Sequence, residues 1–244
     1  MSYTEVKPHP KLEGYIDAFW TVVGSEGAVR SQRIMPDGCV DLIFNLGEDC
    51  GAENGRLTMQ RDKIYLVGTM TTFSDSFLTG GKKLIGVRFK PAAFSSFYNY
   101  APMHELTNLC IGFERSLSPD IDLVKNYSIA YLQAFFLDRV RVPKHSLFNV
   151  INYIRLTNGN IGIDTLATAN HITRRQLERE FRNHIGVSPK EYLKIIRFKN
   201  ALKIIKENRN ENNFSEIAFK CGFYDQAHFS NEIKRYAGLT PSQI

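Results

Sequence analysis

The apolar positions of this chain change period once, near Pro91. Before it they come in short runs: "AFWTVVG", "QRIMP", "CVDLIFNLG", "KIYLVGTM", "SDSFLTG" and "KLIGVRFKP". Each is rich in β-branched and aromatic residues and bounded by Gly, Asn or Asp, which predicts strands. In "CVDLIFNLG" Val40, Leu42, Phe44 and Leu46 share one face, and Cys39, Asp41, Ile43 and Asn45 share the other. "MPDGC" predicts a hairpin turn: Pro36 presets φ, Asp37 can bond its own backbone and Gly38 accepts positive φ. Arg33 and Asp41 flank that turn and would pair across it. Short strands at this spacing suggest a small barrel or sandwich.

Beyond Pro91 the period lengthens toward that of a helix. "AAFSSFYNY" predicts one helix and "DLVKNYSIAYLQAFFLDRV" a longer one, with Leu123, Val124, Tyr127, Tyr131, Ala134 and Phe135 on its apolar side. That side would pack on the strands; the other reading is a dimer interface. "RVPKHS" reads as a linker, with Pro143 as breaker, Lys144 as a charge and Ser146 as a candidate cap. From Leu147 onward the pattern is helical throughout. The expected fold is α+β in two domains. Residues 1–142 form a small β-barrel or sandwich with packed helices at its C-terminal end, and residues 143–244 are all-α.

The helical part repeats itself. "IDTLATANHITRRQLEREFRNHIGVSPKEY" from Ile163 aligns with "FSEIAFKCGFYDQAHFSNEIKRYAGLTPSQ" from Phe214. Leu166 and Ala167 fall opposite Ile217 and Ala218, Gly186 opposite Gly238, and Pro189 opposite Pro241. Each copy has the grammar of a helix-turn-helix. A small residue, Ala167 or Ala218, admits a second helix. A tight turn follows, with Gly222 suited to a left-handed conformation in one copy and Asn170 or His171 in the other. Ile172 or Phe223 can plug the space between helices. Thr173 with Gln176 makes a capping box, and Asp225 caps the second copy. Leu177 and Phe181, or Phe229 and Ile233, then face inward at i, i+4.

The outward face carries the candidate chemistry. In the first copy it holds Arg175, Glu178, Arg179 and Arg182. In the second it holds Ala227, Ser230, Asn231 and Lys234, flanked by Gln226 and His228. A plain solvated helix face would mix charges as Glu-to-Lys pairs. Here three arginines surround one glutamate, and the second face offers uncharged groups able to read base edges. "EYLKIIRFKNALKIIKENRN" between the copies predicts a single connector helix. It would hold the two reading helices about one DNA turn apart, roughly 34 Å.

Charge sharpens this picture. The chain of 244 residues carries +6 in all. Up to Pro143 there are 15 Lys+Arg against 16 Asp+Glu; from Lys144 onward there are 16 against 9. A basic domain on a near-neutral one suits a polyanion partner for one half and another task for the other. With 43% hydrophobic and 23% charged residues the chain is globular. No apolar run approaches the ~18 residues of a membrane span, and "MSYTEVKPHP" lacks the features of a signal peptide. Four scattered cysteines without a CxxC predict a cytoplasmic protein with reduced thiols.

At "IAFKCGFYDQAHFSNEIKRYAGLTPSQ" the chain resembles the DNA-binding domain of the AraC/XylS family of bacterial transcription regulators. Gly222-Phe223, Asp225-Gln226, His228-Phe229, Gly238 and Pro241 carry the match. The resemblance implies two helix-turn-helix units that bind double-stranded DNA. It carries the family's base-reading positions onto Arg175, Glu178 and Arg179 in the first unit, and onto Gln226, Ala227, His228, Ser230 and Asn231 in the second. Glu178 and Asn231 depart from the usual pattern. Thr173, Arg174, Arg182, Lys190 and Lys234 are the candidates for phosphate contact and positioning. "RIMPDGCVDLIFNLG" and "IGVRFKP" resemble, less specifically, the β-rich sensor domains of some members. RNA polymerase, a small-molecule effector and a second copy in a homodimer are then candidate partners.

Other chemistry finds little support. Asp37, Cys39 and Asp41 suggest a nucleophile among carboxylates, but His9 and His104, the only histidines before the linker, are far apart. No catalytic site, metal or cofactor is expected, and the residues form no HxH pair. A polar lining for an effector cavity could come from Arg33, Asp41 and Arg88, with Trp20 and Phe89 as aromatic walls. Two rival readings remain: a protein–protein module on a helix-turn-helix scaffold, and an N-terminal enzyme fused to a regulator.

Overall fold

The computed structural model describes residues 2–24, 30–52, 55–78, 80–143, 147–207 and 213–244. Lys144 and Ser146 of the expected linker lie outside the described residues.

The N-terminal part is built from two antiparallel sheets. Strands β1 (Ser2–Val6), β2 (Ile16–Val23), β4 (Val40–Asn45), β7 (Lys63–Val67), β9 (Lys83–Phe89) and β10 (Cys110–Gly112) form one, in the order β1-β2-β9-β4-β7-β10. Strands β3 (Arg30–Ile34), β5 (Cys50–Ala52), β6 (Leu57–Met59) and β8 (Ser74–Leu78) form the other, in the order β3-β8-β5-β6. Among the described residues no strand pairing closes the two into a barrel. The six expected strands are present. The four unforeseen ones are short or polar; all five residues of β1 are exposed.

The predicted alternation in β4 separates two cores. Val40, Leu42 and Phe44 pack on one side of the larger sheet with Phe19, Val87, Phe89 and Phe136. Ile43 joins Trp20, Val22, Met59 and Leu84 on the other side, toward the smaller sheet. The expected hairpin at "MPDGC" is instead a crossover between sheets, because β3 pairs with β8 while β4 pairs with β7 and β9. The turn chemistry itself is as expected: Cys39 N donates to Asp37 Oδ1 at 2.8 Å. Since β3 and β4 are not partners, Arg33 pairs with Asp75 and not with Asp41.

Helix α1 (Ile121–Arg139) packs on the back of the larger sheet through Ile121, Val124, Leu132, Phe135 and Phe136. Leu123 and Tyr127, expected on its buried side, are 39% and 64% exposed. Ser128, at φ 50° and ψ −132°, breaks the helical phase there, so the two halves do not continue one face. The helix expected in "AAFSSFYNY" is only a 3-10 turn, Phe94–Ser96. Ala92 at its start has φ 65°, and Pro102 follows two residues after the run, so no continuous helical ladder spans it.

The C-terminal part is all helix: α2 (Leu147–Leu156), α3 (Ile163–Ala169), α4 (Arg174–His184), α5 (Pro189–Glu207), α6 (Phe214–Lys220) and α7 (Gln226–Ala237). The connector α5 runs through the centre and buries Tyr192, Ile195, Phe198 and Ala201. The chain's last element is a single 3-10 turn, Pro241–Gln243.

Candidate nucleic-acid interface and inter-sheet cavity

The two copies fold alike down to individual hydrogen bonds. After α3, Ile172 N donates to Ala167 O at 3.1 Å; after α6, Phe223 N donates to Ala218 O at 2.9 Å. His171 and Gly222 are the left-handed residues of these turns, at φ 54° and 73°. Thr173 and Gln176 close the expected capping box on α4. Asp225 Oδ1 accepts from His228 N at 2.7 Å at the start of α7. Leu177 and Phe181, and Phe229 and Ile233, are buried as the i, i+4 spacing requires.

The opposite faces of α4 and α7 are open to solvent. Arg175, Arg179 and Arg182 are exposed and Glu178 is half-buried on α4; Gln226, Ala227, His228 and Asn231 are exposed and Ser230 is half-buried on α7. Arg179 leans on Glu180 at 3.2 Å, and Arg174 stands 3.7 Å from Asp164. Gln226 Oε1 accepts from Ser215 Oγ at 2.7 Å, and His228 packs edge-on to Phe223. Lys190 and Lys234 are exposed.

Both repeats end against the N-terminal part. Gly186, at φ 101°, closes the first; its carbonyl accepts from Thr107 Oγ1 at 2.6 Å, and Thr69 Oγ1 donates to the carbonyl of Ile185. Gly238, at φ 67°, closes the second and lies under the Phe73 ring. Arg33 secures this contact. It binds Asp75 through two hydrogen bonds of 2.8 and 2.9 Å, donates to Ala237 O at 3.1 Å and lies 4.3 Å from the Phe73 ring centre. Its hydrogen bonds hold the Asp75 carboxyl below the usual range. A third contact comes from the crossover turn: a Cβ on Gly38 would meet Tyr192 Cε2 of α5 at 2.6 Å.

Between the two sheets lies a cavity of 300 Å³. Trp20, Asp41 and Arg88 line it. Phe89 does not. It is fully buried behind the sheet, with Phe94 and Phe136 5.3 and 5.4 Å away. Arg33 is turned to the domain contact, while its neighbours Gln32 and Ile34 line the cavity. Sequence reasoning missed Tyr3, Arg56, Met59 and Phe73 in the lining. Tyr3 sits on a strand with no apolar pattern, and the Phe73 segment joins two strands of different sheets.

The polar end of the cavity is a cluster. Trp20 Nε1 donates to Asp41 Oδ1 at 2.7 Å. Arg88 stands 3.1 Å from Glu5, 3.5 Å from Asp41 and 3.6 Å from Asp37. Burial pushes the Asp41 carboxyl up to about 6, against the pull of Arg88. Burial also works against the Arg88 charge, but Asp41 and Asp37 outweigh it and the guanidinium stays charged. Cys39 is buried, and burial with Asp37 nearby raises its thiol well above the ordinary value. That is the wrong direction for a nucleophile. Among the described residues no His, Cys, Asp or Glu group is arranged to hold a metal. No helix among them is long and apolar enough to cross a membrane.

Two capped helix-turn-helix units on one connector define a tandem helix-turn-helix domain. Residues 166–244 match a family model described as "Helix-turn-helix domain". This domain of the chain belongs to the AraC type. Residues 4–112 match a "Domain of unknown function (DUF6597)". The chain is 30% identical over 164 residues to the HTH-type transcriptional regulator GbdR of Pseudomonas aeruginosa, covering 61% of this chain and 42% of that protein. It is 33% identical over 73 residues to the HTH-type transcriptional activator RhaS of Escherichia fergusonii, covering 30% and 26%. These matches therefore span less than half of either relative. Two crystal structures of ToxT from Vibrio cholerae share the fold. One has a TM-score of 0.53 at 14% identity, covering 92% of this chain and 97% of that one. The other, bound to an unsaturated fatty acid, has a TM-score of 0.51 at 16% identity, covering 92% and 94%.

Proposed function

We propose that this chain is a sequence-specific DNA-binding transcription regulator that reads two adjacent major-groove segments. Residues 143–244 bind DNA, and residues 1–142 sense a small effector or mediate dimerisation. The observation that carries the reading is the duplicated, capped helix-turn-helix with an open polar face on each second helix, in the part of the chain that holds the positive charge. Arg175, Glu178 and Arg179 of α4, and Gln226, Ala227, His228, Ser230 and Asn231 of α7, are the base readers. Thr173, Arg174, Arg182, Lys190 and Lys234 position the phosphates.

The inter-sheet cavity favours sensing for the N-terminal part. Met70, Thr72 and Phe73 line it. Phe73 also covers Gly238, and Thr72 Oγ1 donates to Arg235 O at 3.3 Å. An occupant would therefore press on the segment that seats α7. RNA polymerase and a second copy of the chain belong to this reading as partners. Cys39, Cys50 and Cys221 are buried free thiols, which suits the cytoplasm.

Selection of the full chain on random duplex DNA, followed by footprinting, tests the proposal. The expected result is one enriched motif with two protected major-groove segments about one turn apart, roughly 34 Å. Recovery of no motif would instead favour a protein–protein module.

A further inference from the structure

The cavity's chemistry selects among ligand classes. Its volume is at the small end of ligand pockets, which run from roughly 300 to 1,000 Å³. Most of its wall is apolar: Trp20, Val22, Ile34, Ile43, Met59 and Leu84 among others. At the polar end one cation, Arg88, is within 3.6 Å of three carboxylates, those of Glu5, Asp41 and Asp37. Asp17 adds a further negative field at Asp41. Carboxylates therefore outnumber Arg88 at this end; of them Asp41 lines the space, with Arg56 and Arg88 as the other charged lining groups.

Asp41 is the carboxylate that faces the space. Its side chain is 18% accessible and lines the cavity. Trp20 Nε1 donates to its Oδ1, and Arg88 Nε approaches the same oxygen at 3.5 Å. The rings of Trp20 and Tyr3 stand beside it, 6.4 Å apart at 32°. A carboxylate with aromatic faces around an apolar chamber is the arrangement that holds ammonium groups. An anionic ligand would add a negative charge beside three carboxylates that already face Arg88: Nη1 donates to Glu5, and the buried Nε, which makes no hydrogen bond, stands 3.5 and 3.6 Å from Asp41 and Asp37. Arg56 lies across the cavity, just before β6 of the smaller sheet, and is exposed to solvent. A neutral ligand would leave the desolvated Asp41 with Trp20 and a shared Arg88 as its compensation.

We infer that the inter-sheet cavity binds a small organic cation, with its ammonium or guanidinium head against Asp41 and its apolar body between the two sheets. The inference rests on the sensing role proposed above for the N-terminal part. A cation there cancels the excess charge of the Glu5, Asp37 and Asp41 cluster and uses the aromatic wall.

The test exploits the chain's single tryptophan, Trp20, which stands in the cavity wall. The full chain is titrated at pH 7.5 with phenethylamine and benzyltrimethylammonium, and with the neutral 2-phenylethanol and the anionic 3-phenylpropionate. Emission and melting temperature are followed, and DNA affinity is measured separately without any probe. The expected result is a saturable change in Trp20 emission with a cation, at least tenfold tighter than with the neutral or anionic probe. Asp41→Asn removes that preference. Lowering the pH of the wild-type protein from 7.5 to 5 also weakens the cation, because Asp41 then takes up a proton. This second arm holds even where the variant folds poorly. Equal or tighter binding of the anion or the alcohol, or no saturable response to either cation, overturns the inference. So does a cation preference that survives in folded Asp41→Asn. Loss of DNA binding in the probe-free measurement strikes the regulator reading instead, so the two failures are distinguishable.

Discussion

Phe73 lies directly over Gly238, so that a Cβ on the glycine would stand 2.6 Å from the ring's Cζ. The two residues are far apart in the chain and belong to different parts of it. Gly238 is also the left-handed end of α7, at φ 67°. One position thus serves as helix terminator and as seat for the N-terminal part.

Gly238→Ala is expected to lower stability by at least about 1 kcal/mol from the backbone alone, since alanine is strained at positive φ. Overlap with Phe73 adds to this. Adding Phe73→Ala should recover part of the loss, with a coupling of about 0.5–3 kcal/mol as is usual for residues in contact. Urea unfolding of the two single variants and the double variant measures it. Strict additivity would mean that the ring does not bear on the glycine.

Arg179→Ala is expected to cost about 1–3 kcal/mol on the selected motif and to relax preference at one position. Lys234→Ala should weaken all sequences alike and reduce the slope of log affinity against log salt by about 0.9, the value for one phosphate contact. Competition binding at several salt concentrations separates the two roles. If Arg179→Ala behaves as Lys234→Ala does, Arg179 contacts phosphate.

Thr173→Ala removes a capping box and Asp225→Ala removes a single cap. Each should cost about 1 kcal/mol of stability. Because the caps begin the two reading helices, DNA affinity should fall as well, with little change in salt slope. Thermal melts and binding isotherms on the same samples check this.

Asp41 gives a pH dependence whose sign follows from its raised pKa. Its carboxyl titrates near 6 in the fold, above the ordinary aspartate value of 3.8. Between those limits the native state holds more protons than the unfolded chain, so this group's contribution falls as pH rises. Above the folded value the penalty is complete, at about 1.4 kcal/mol per unit of displacement. Ligand-free Asp41→Asn should therefore melt at or above the wild-type temperature at pH 7.5. That advantage should shrink toward pH 5. Asp17, Asp37 and Arg88 act on the Asp41 carboxyl and Glu5 pairs with Arg88, and all four are present in both proteins, so the comparison isolates Asp41. A variant that is less stable at pH 7.5 and recovers at no pH would show that the Arg88 pairing outweighs burial.

Much of the C-terminal part was legible in the sequence because its determinants are local. Thr173 and Gln176 are three residues apart, and Leu177 and Phe181 four, so spacing alone places them. Six strands were legible for the same reason. The N-terminal site was less so, since its partners depend on sheet order. Arg33 and Asp41 look like hairpin neighbours until β3 and β4 are assigned to different sheets. Phe89 alternates correctly with Arg88, and that alternation is what sends it to the opposite core. In α1, local periodicity misled because Ser128 resets the phase. Tyr3 and Phe73 bear on the cavity through long-range topology that no local pattern encodes.

The contacts between the N-terminal part and the helical part have a mechanical meaning. Gly186, Gly238 and Tyr192 act as seats, and the Tyr15 ring against Phe148 of α2 adds a further one. Held at several places, the helical part keeps one heading relative to the sheets. The carbonyl of Asp37, beside the Tyr192 seat, accepts from Lys199 of α5 at 3.5 Å, and its carboxylate faces Arg88 at the cavity. The polar end of the chamber thus adjoins one of the supports on which the reading helices are mounted.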